Sequence, residues 1–429
     1  MTTSQQPATL SAAQAVADVR SGERVFIGSG AASPDELVTA LTARSAELRD
    51  VGIFHIFTLG PAPYVAPEHA GSFRHVALFG GPNVRAAVWD GRADVIPVHL
   101  HQAPGLFNGP YPLDWAFVQV SPPDRHGWCS MGVSVDVVGE AVRSARHVVA
   151  EVNPNMPRTF GRTQIHVGSL HSIVHVDRSI IELESPATNE VSERIGAHVA
   201  SMVRDGDCLQ LGIGATPNAC LAALHSHRHL GIHTEALTDG IVALMEAGAV
   251  DNSRKEMKRG KTVCSFVMGS RALYDFVDDN PSVEVHGAEY VNDPTRIAKL
   301  SNMVAVNGAL QVDLTGQVDA DSIGVNIFSG FGGQADFIRG SAASPGGRPI
   351  IVLPSTAKGG TVSRIVPALA AGSGVVTTRA DVHYVVTEWG IADLFGRPIA
   401  ERIQRLLAVA HPDHRDELAA DAAELGLLR

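Results

Sequence analysis

The chain has 429 residues, of which 45% are hydrophobic and 18% charged, and its formal net charge is −11. This acidic balance argues against a nucleic-acid-binding protein, because such proteins need basic patches to neutralise phosphates. No apolar run is long enough to span a bilayer, and Met1 to Val19 lacks the basic residues of a signal or transit peptide, so we expect a soluble, cytoplasmic protein without a membrane partner.

The first predicted unit lies near the N-terminus. Ser21 to Gly30 reads as a turn, a short buried strand and a Gly-Ser-Gly bend that ends at Gly30. Pro34 then opens a predicted helix over Asp35 to Arg44, since proline is favoured at the start of a helix. A second strand is predicted over Val51 to Phe57. The pattern indicates a strand–helix–strand unit.

The same arrangement returns in the second half of the chain. Asp205 to Gly214 reads as a turn, a strand and a Gly-Ile-Gly bend, and Pro217 opens a predicted helix over Asn218 to Leu224. A strand follows over Leu230 to Glu235. The two glycine bends lie 184 residues apart, which we interpret as an internal duplication of an α/β unit. The alternative is a chance similarity between two βα turns.

Further apolar runs alternate with helical patterns, which predicts two open α/β domains. A chain of this length exceeds what one core usually supports. The boundary is predicted in the polar, proline-containing segment Glu182 to Glu190, giving domains of residues 1–186 and 187–429. The other predicted strands are Trp115 to Val120, His147 to Val152, Thr262 to Met268, Pro349 to Leu353 and His383 to Thr387, and the other predicted helices are Val191 to Arg204 and Ala400 to Ala410.

One position distinguishes the two copies of the unit. When Gly52 and Gly231 are aligned, Glu235 falls opposite Ile56. An ionisable residue beside a buried strand is costly without a purpose, which favours a catalytic carboxylate over a surface glutamate at a strand end. Such a carboxylate could be a general base or a nucleophile, and a nucleophile needs oxyanion donors. The glycine-rich segment Ser329 to Phe337 offers such donors if the fold brings it near.

Other motifs predict less. Neither glycine bend completes G-x-G-x-x-G, so a dinucleotide site is disfavoured, although backbone N–H groups at such a bend can bind anions. No G-x-S-x-G elbow is present. We expect no metal site, because the alternating histidines lack ligand spacing, and we expect the four widely spaced cysteines to be buried, reduced thiols. The histidines are His99, His101, His225, His227 and His229, and the cysteines are Cys129, Cys208, Cys220 and Cys264.

Taken together, the motifs resemble the acetyl-CoA hydrolase/transferase family, which includes 4-hydroxybutyrate CoA-transferases and belongs to the class I CoA-transferases. The resemblance runs from about Gly22 to His414. The blocks that carry it are Val120 to Gly127, Leu209 to Pro217, Gly231 to Gly240, Tyr290 to Pro294, Val312 to Val318, Ser329 to Phe337, Leu353 to Lys358 and Asp381 to Glu388.

The resemblance implies two similar α/β domains with the active site at their interface, in a homodimer or larger homo-oligomer. The family pattern His-Ser/Thr-Glu, followed by Asp-Gly, makes Glu235 the catalytic residue. It implies an oxyanion hole formed by the backbone N–H groups of Ile213 and Gly333. The residues that match the family's CoA-binding positions are Gly212, Ile213, Gly214, Ala215, Thr216, Gly332 and Gly333.

The implied reaction is ping-pong transfer of CoA from a short acyl-CoA to a carboxylic acid through a glutamyl-CoA thioester on Glu235. It needs neither metal nor permanently bound cofactor, since CoA is itself a substrate. Acetyl-CoA hydrolysis by the same glutamate is the alternative. A non-catalytic sensor of acyl-CoA or of a sugar phosphate is a competing class, disfavoured by Glu235. A nicotinamide oxidoreductase is another, disfavoured by the incomplete glycine fingerprints. Family members differ from this chain at His101-Gln-Ala-Pro104 and at Ala236-Leu237, which leaves the acids open.

Overall fold

The computed structural model describes residues 6–428. Contacts between residues divide them into two compact units. The first contains the described residues up to Glu184 together with Val263–Val291, and the second contains Ser185–Thr262 and the described residues from Asn292 onward. Among the helices of residues 6–428, none is long and apolar enough to cross a membrane.

Strands and helices alternate over the first 175 residues. The strands there are β1 (Ala8–Thr9), β2 (Arg24–Ile27), β3 (Val51–His55), β4 (Phe73–Ala77), β5 (Ala93–Val95), β6 (Trp115–Val120), β7 (Trp128–Ser130), β8 (His147–Val152), β9 (Phe160–Gly161), β10 (Gln164–His166) and β11 (Ser172–His175). The helices there are α1 (Ala12–Ala15), α2 (Asp35–Ala43), α3 (Pro82–Trp89) and α4 (Val138–Ser144).

The alternation continues from residue 190. The strands are β12 (Cys208–Leu211), β13 (Gly231–Ile232), β14 (Ala236–Leu237), β15 (Thr262–Cys264), β16 (Phe266–Val267), β17 (Val283–Val285), β18 (Met303–Gly308), β19 (Gln311–Asp313), β20 (Val318–Asp319), β21 (Ser322–Ile323), β22 (Asn326–Ile327), β23 (Arg348–Val352), β24 (Thr356–Ala357), β25 (Val362–Ser363), β26 (Ile365–Val366), β27 (Tyr384–Thr387) and β28 (Gly390–Asp393). The helices are α5 (Glu190–Met202), α6 (Ala215–Ala222), α7 (Asp239–Glu246), α8 (Arg271–Val277), α9 (Ala288–Val291), α10 (Pro294–Ile297), α11 (Gln334–Ala343), α12 (Ile399–Val409) and α13 (Arg415–Glu424).

The first unit is built on an eight-stranded sheet in the order β1-β11-β8-β6-β2-β3-β4-β5. All of its neighbouring strands run parallel. Parallel sheets need cover on both faces, and β6 accordingly has every side chain buried. Val25 of β2, Ile53 of β3 and Leu37 of α2 belong to one buried apolar cluster.

The second unit is built on a six-stranded sheet in the order β13-β12-β18-β23-β27-β28. Its strands are parallel except for β28, which pairs antiparallel with β27. Its core includes Ile351 of β23, Val385 of β27 and Ile403 of α12. Two units with mostly parallel sheets and flanking helices confirm the predicted α/β class.

The two sheets repeat the same local arrangement. In the first, β2 lies between β3 and β6, and in the second, β12 lies between β13 and β18. The registers also correspond, since Arg24 pairs with Gly52 and Cys208 pairs with Gly231. Arg24 and Cys208 each lie four residues before the first glycine of their bend. This shared register supports the predicted duplication over chance similarity of the turns.

The predicted elements agree with the structure most closely where an apolar run lies at the centre of a sheet. β6 and β8 have the predicted bounds. The run Thr262 to Met268 divides into β15 and β16 around Ser265, whose carbonyl accepts the N–H groups of Val135 and Asp136. Helix α6 begins at Ala215, three residues earlier than predicted, so Pro217 lies within its first turn.

The division of the chain differs from the predicted one in a single segment. The change from one unit to the other at Glu184 lies inside the predicted linker, but Val263–Val291, predicted in the C-terminal domain, groups with the first unit. The physical reason is that β17 pairs in parallel with β9, while Leu183 N–H donates to Gly269 O at 3.0 Å. Sequence periodicity identifies the strand but not its partner.

Candidate active site

Glu235 lies just beyond β13, at the carboxyl edge of the second sheet. β13 runs parallel to β12, and the Thr234 hydroxyl donates to the carbonyl of Leu211, the last residue of β12, at 3.1 Å. Carrying this register one residue further places Glu235 opposite Gly212. The carboxylate and the glycine turn therefore lie on neighbouring strands of one sheet, at the edge where ligands of open α/β folds bind.

The surroundings of Glu235 are buried. Thr234 is 0% exposed and Ala236 is 3% exposed, whereas Glu235 itself is half-buried. In the first unit, the equivalent Ile56 is 8% exposed. The second copy alone therefore carries a partly desolvated carboxylate at this point of the fold, a cost that stability does not require.

Asn292 holds the Glu235 carboxylate. Its Nδ2 donates to Glu235 Oε2 at 2.9 Å, and its side chain is completely buried. Its Oδ1 has no hydrogen-bond partner among residues 6–428. A buried amide oxygen without a hydrogen-bond partner costs folding free energy, so Asn292 adds little to the stability of the protein in this orientation. Through the hydrogen bond from Nδ2, a neutral donor orients the carboxylate.

Gly333 lies against the same carboxylate. A Cβ atom added there would overlap Glu235 Oε2 and Asn292 Nδ2 and would stand 3.2 Å from Glu235 Cδ. Gly333 is the N-cap of α11, with φ −93°. Glycine is therefore required for close approach rather than for backbone conformation, and the fold brings together Glu235 and Gly333 across about a hundred residues of sequence.

The first residue of α11 fixes this contact. Gln334 Nε2 donates to Gly308 O, at the end of β18, at 2.5 Å, and its Oε1 accepts the Thr377 hydroxyl at 3.2 Å. On the same strand, Asn307 exchanges hydrogen bonds with Gln210 of the neighbouring β12. These buried amides bind the α11 N-terminus and the central strands into one rigid edge.

The turn Gly212 to Thr216 joins β12 to α6. Gly214 is the N-cap of α6 and has φ +129°, a conformation that side chains disfavour. Ala215 and Thr216 form the start of the helix, and Ile213 is 42% exposed. Within residues 6–428, the N–H groups of Ile213 and Gly333 donate to no other residue. Unused N–H groups at a helix start can receive an anion or oxyanion.

The corresponding turn of the first unit is used differently. There the Ser29 hydroxyl, between the two glycines, donates to Asp136 Oδ1 at 3.0 Å. Asp136 is buried, and this burial raises its pKa to about 6, against the opposing effect of the Val137 N–H and the Ser29 hydroxyl. The first turn thus binds a carboxylate of its own chain. In the turn Gly212 to Thr216, the backbone N–H group of Ile213 is available to a ligand.

The positions where the chain departs from its family lie in buried or helical segments. Ala236 and Leu237 form β14 and are at most 3% exposed. His101 and Gln102 lie in the 3-10 segment Leu100–Asn108 of the first unit. Among residues 6–428, no group of three or more His, Cys, Asp or Glu side chains could hold a metal ion. All four cysteines are buried and form no disulfide, as predicted.

Sequence reasoning predicted Glu235, the glycine turn and the Gly332–Gly333 loop as site residues, but it did not single out Asn292. Gly332 precedes the N-cap and is half-buried, while Gly333 is buried. Asn292 lies in the block Tyr290 to Pro294 that carries part of the family resemblance. That block was the available signal, but the 57 residues between Asn292 and Glu235 hide their contact from any local pattern.

Known proteins resemble the chain along nearly its whole length. The model of the acetyl-CoA hydrolase/transferase N-terminal domain matches residues 4–183, and that of the C-terminal domain matches residues 269–422. A Fasciola hepatica protein named succinyl-CoA:acetate/propanoyl-CoA:succinate CoA transferase is 46% identical, over 93% of this chain and 84% of the relative. The 4-hydroxybutyrate coenzyme A transferase of Clostridium kluyveri is 44% identical, over 95% and 96%.

A solved structure agrees with this relationship. The crystal structure of 4-hydroxybutyrate CoA-transferase from Porphyromonas gingivalis has a TM-score of 0.84 and 38% sequence identity, covering 97% of this chain and 98% of that chain. Glu235 lies between the two segments that the domain models match, so its position is argued from the geometry above. The chain is an enzyme that belongs to the acetyl-CoA hydrolase/transferase family.

Proposed function

We propose that this enzyme transfers CoA from a short-chain acyl-CoA to a carboxylic acid, with Glu235 as the covalent carrier of CoA. The observation that carries the proposal is the position of Glu235: a half-buried carboxylate at a strand end, oriented by Asn292 and in contact with the glycine N-cap of α11. A carboxylate nucleophile needs this combination of fixed geometry and nearby N–H donors.

The first half-reaction moves CoA from the donor acyl group to Glu235 in two steps. An ionised Glu235 oxygen attacks the thioester carbonyl, the C–S bond breaks, and CoA leaves as its thiolate, giving an acyl-glutamyl anhydride. The thiolate then attacks the glutamyl carbonyl, the anhydride C–O bond breaks, and the donor acid leaves as its carboxylate. A glutamyl-CoA thioester remains. No net proton, ATP or metal is required, because thioester and anhydride are comparably activated.

The second half-reaction runs the same steps backwards. The acceptor carboxylate attacks the glutamyl-CoA thioester and releases the CoA thiolate. The thiolate then attacks the acyl carbonyl of the resulting anhydride, the anhydride C–O bond breaks, and the new acyl-CoA and the Glu235 carboxylate are released. Each addition forms an oxyanion, for which the unused N–H groups of Ile213 and Gly333 are the proposed donors. One such donor contributes about 10²–10³ in rate in enzymes of this general type. The turn Gly212 to Thr216 and Gly332–Gly333 are the proposed contacts for CoA.

The substrates proposed are those of the relatives. Acetyl-CoA or another short acyl-CoA would be the donor, and 4-hydroxybutyrate, butyrate, propionate or succinate would be the acceptor. The small, buried Ala236 beside Glu235 favours a pocket with room for the acyl group. A cytoplasmic location and a homodimer or larger assembly stay predictions.

The decisive experiment replaces Glu235. Glu235→Ala should lower CoA transfer from acetyl-CoA to butyrate below detection, with an unchanged thermal midpoint, because it removes the nucleophile and relieves a desolvated carboxylate. Glu246→Ala, at an exposed position of α7, is the matched control and should keep full activity. Borohydride added with acyl-CoA should reduce the glutamyl thioester to the alcohol in the peptide that contains residue 235. Retained turnover in the alanine variant would refute the assignment.

Hydrolysis is the second candidate, supported by the partial exposure of Glu235 to solvent. Water would then resolve the same intermediate. Release of free thiol from acetyl-CoA should be measured with and without each acid. Release that depends on the acid supports transfer, and full release without any acid supports hydrolysis.

A further inference from the structure

One arginine of the second unit carries a charge without a bonded partner. The Arg364 guanidinium is half-buried, and it makes no hydrogen bond or ion pair with any of residues 6–428. Burial lowers the pKa of Arg364, and only the more distant Glu388 opposes this effect. A partly desolvated guanidinium is unfavourable unless something else pairs with it.

The backbone holds Arg364 firmly in this position. Its N–H donates to Ser355 O at 2.8 Å, and its carbonyl accepts from Val312 at 2.9 Å. Glu388, the nearby acid, is already engaged, because its Oε2 accepts the Ser355 N–H at 2.9 Å and its Oε1 accepts the Ser355 hydroxyl. The main chain therefore fixes the backbone of Arg364, while both carboxylate oxygens of Glu388 accept hydrogen bonds from Ser355 and act on the guanidinium only through their charge.

The segment next to Arg364 has the character of an anion site for a nucleotide. β24 and β25 form a hairpin whose turn carries Lys358, and His414 Nε2 is 2.9 Å from Gly360 O in that turn. Trp389 Nε1 donates to Ser355 Oγ at 3.2 Å, and its indole is 38% exposed. Lys358 is a second cation on the hairpin that precedes Arg364. The Trp389 indole, which has the Arg415 guanidinium carbon 6.0 Å from its ring centroid, is linked to Arg364 through Ser355. Cations and an aromatic ring of this kind suit phosphates with a base attached.

This group lies at the same edge of the sheet as Glu235. Ser355 follows β23, and Glu235 follows β13, so both stand beyond the carboxyl ends of parallel strands. In the sheet order, β23 is three strand spacings from β13, which corresponds to about 14 Å. The pantetheine arm of CoA separates its thiol from its phosphates by a distance of this order.

We infer that Arg364 binds a phosphate of the nucleotide end of CoA while the thioester lies at Glu235. The inference rests on the proposed function, because it takes acyl-CoA as the substrate. Arg364 would then act in substrate binding and not in the transfer steps at Glu235. It would give the enzyme a higher affinity for CoA thioesters than for smaller thioesters without phosphates.

The test compares two donors that differ in phosphates. Acetyl-CoA and S-acetylpantetheine, which has no phosphate, are assayed with one acceptor acid in the wild type and in Arg364→Gln. We expect kcat/KM for acetyl-CoA to fall by about 10- to 100-fold, the loss of one charge-assisted hydrogen bond, with kcat/KM for S-acetylpantetheine and KM for the acid unchanged. Arg405→Gln, on the outer face of α12, is the control and should change none of these values.

Three results would overturn the inference: an equal loss with both donors, a change confined to the KM of the acid, or no change with acetyl-CoA. The first would indicate a role in chemistry or structure, and the second would assign the cation to the acceptor carboxylate. Arg364→Gln should keep or raise the thermal midpoint, since no protein partner is lost. If the midpoint falls, Arg364→Met, which keeps an aliphatic side chain and carries no charge, replaces it, and the same comparison of donors decides.

Calorimetric titration with free CoA separates this inference from the proposed function. The Kd of CoA should be about 10- to 100-fold higher in Arg364→Gln than in the wild type, whether or not the enzyme turns over. Weaker binding in an enzyme without transferase activity would refute the function and keep the site. Transferase activity with equal CoA binding in both proteins would refute the phosphate site at Arg364 and keep the proposed function.

Discussion

At the scale of single residues, the candidate site combines the Glu235 carboxylate with a neutral amide donor and a glycine. Glu235 receives a neutral amide hydrogen bond from Asn292, and Gly333, which has no side chain, lies against the same carboxylate. A cation in the place of Asn292 would stabilise the carboxylate and weaken it as a nucleophile. A neutral donor fixes its direction with a smaller loss of reactivity.

Replacing Asn292 tests this balance. Asn292→Ala should lower kcat/KM by about 10- to 100-fold, because Glu235 loses the hydrogen bond that orients it. Asn292→Asp should be worse and should move the acid limb of the kcat/KM profile to higher pH, since a second carboxylate disfavours ionisation of Glu235. Steady-state kinetics between pH 5 and pH 8 would check both. An unshifted limb in the aspartate variant would contradict the contact.

Sequence alone could single out Glu235 as a candidate because the duplicate copy supplies a reference. Ile56 shows what the position holds when it only packs, so the carboxylate is recognisable without structure. Asn292 and Arg364 offered no such contrast. Asn292 matters through a contact 57 residues away, and Arg364 through the absence of a partner within the described residues. Both properties exist only after folding.

At the scale of elements, the site depends on where helices begin. α6 and α11 both start at the carboxyl edge of the second sheet, each with a glycine N-cap that carries no side chain toward the site. Side-chain caps would satisfy the first N–H groups of these helices and leave fewer for a ligand. Glycine caps leave them available.

A methyl group at the start of α11 tests this role. Gly333→Ala should reduce kcat by about 100-fold or more, because its Cβ would overlap Glu235 Oε2 and Asn292 Nδ2. The expected cost in folding stability is about 1–3 kcal/mol, typical of overpacking. Gly105→Ala is a matched control, since an added Cβ there meets no atom within 4 Å. Equal activity of the two variants would refute the close approach.

The sequence predicts the bounds of those helices and strands whose residues are buried as one continuous apolar run. β6 and β8 are apolar runs at the centre of a sheet, so their bounds follow from composition. Short paired segments such as β24 and β25 escaped prediction because their two-residue strands have no periodicity. The hairpin that carries Lys358 became visible only through its pairing.

At the scale of the whole molecule, the first unit buries titratable groups with opposite responses to pH. The His55 and His75 rings stack at 4.2 Å, with His55 Nε2 2.7 Å from the Tyr64 hydroxyl. Burial lowers the pKa of His75 to about 4 and that of His55 well below its usual value. Burial also raises the pKa of Glu151 to about 7.

These shifts act in opposite directions on stability. Between about pH 4 and pH 6.5, the unfolded state binds more protons at His75 than the folded state does, so this group's contribution is present above pH 6.5 and lost as the pH falls. Glu151 binds its proton more tightly when folded, so its contribution falls as the pH rises toward 7. The two effects partly cancel in the intact protein.

His75→Gln separates the two effects. The variant should be less stable than the wild type at pH 7.5, because a packed ring is lost, and the deficit should shrink by about 2 kcal/mol at pH 5, where the wild type carries the cost of a buried neutral histidine. Urea unfolding at both pH values would measure it. An equal loss of stability at pH 7.5 and at pH 5 would show that burial does not lower the pKa of His75.

The placement of Val263–Val291 has a consequence for synthesis on the ribosome. The first unit receives β17 only after some eighty residues of the second unit have left the exit tunnel. The growing N-terminal chain therefore cannot complete its tertiary contacts in simple vectorial order, and it must close a long loop before β9 finds its partner. A ribosome pause or a truncation anywhere between residues 185 and 262 would leave β9 as an unpaired edge, exposed to chaperones and to aggregation.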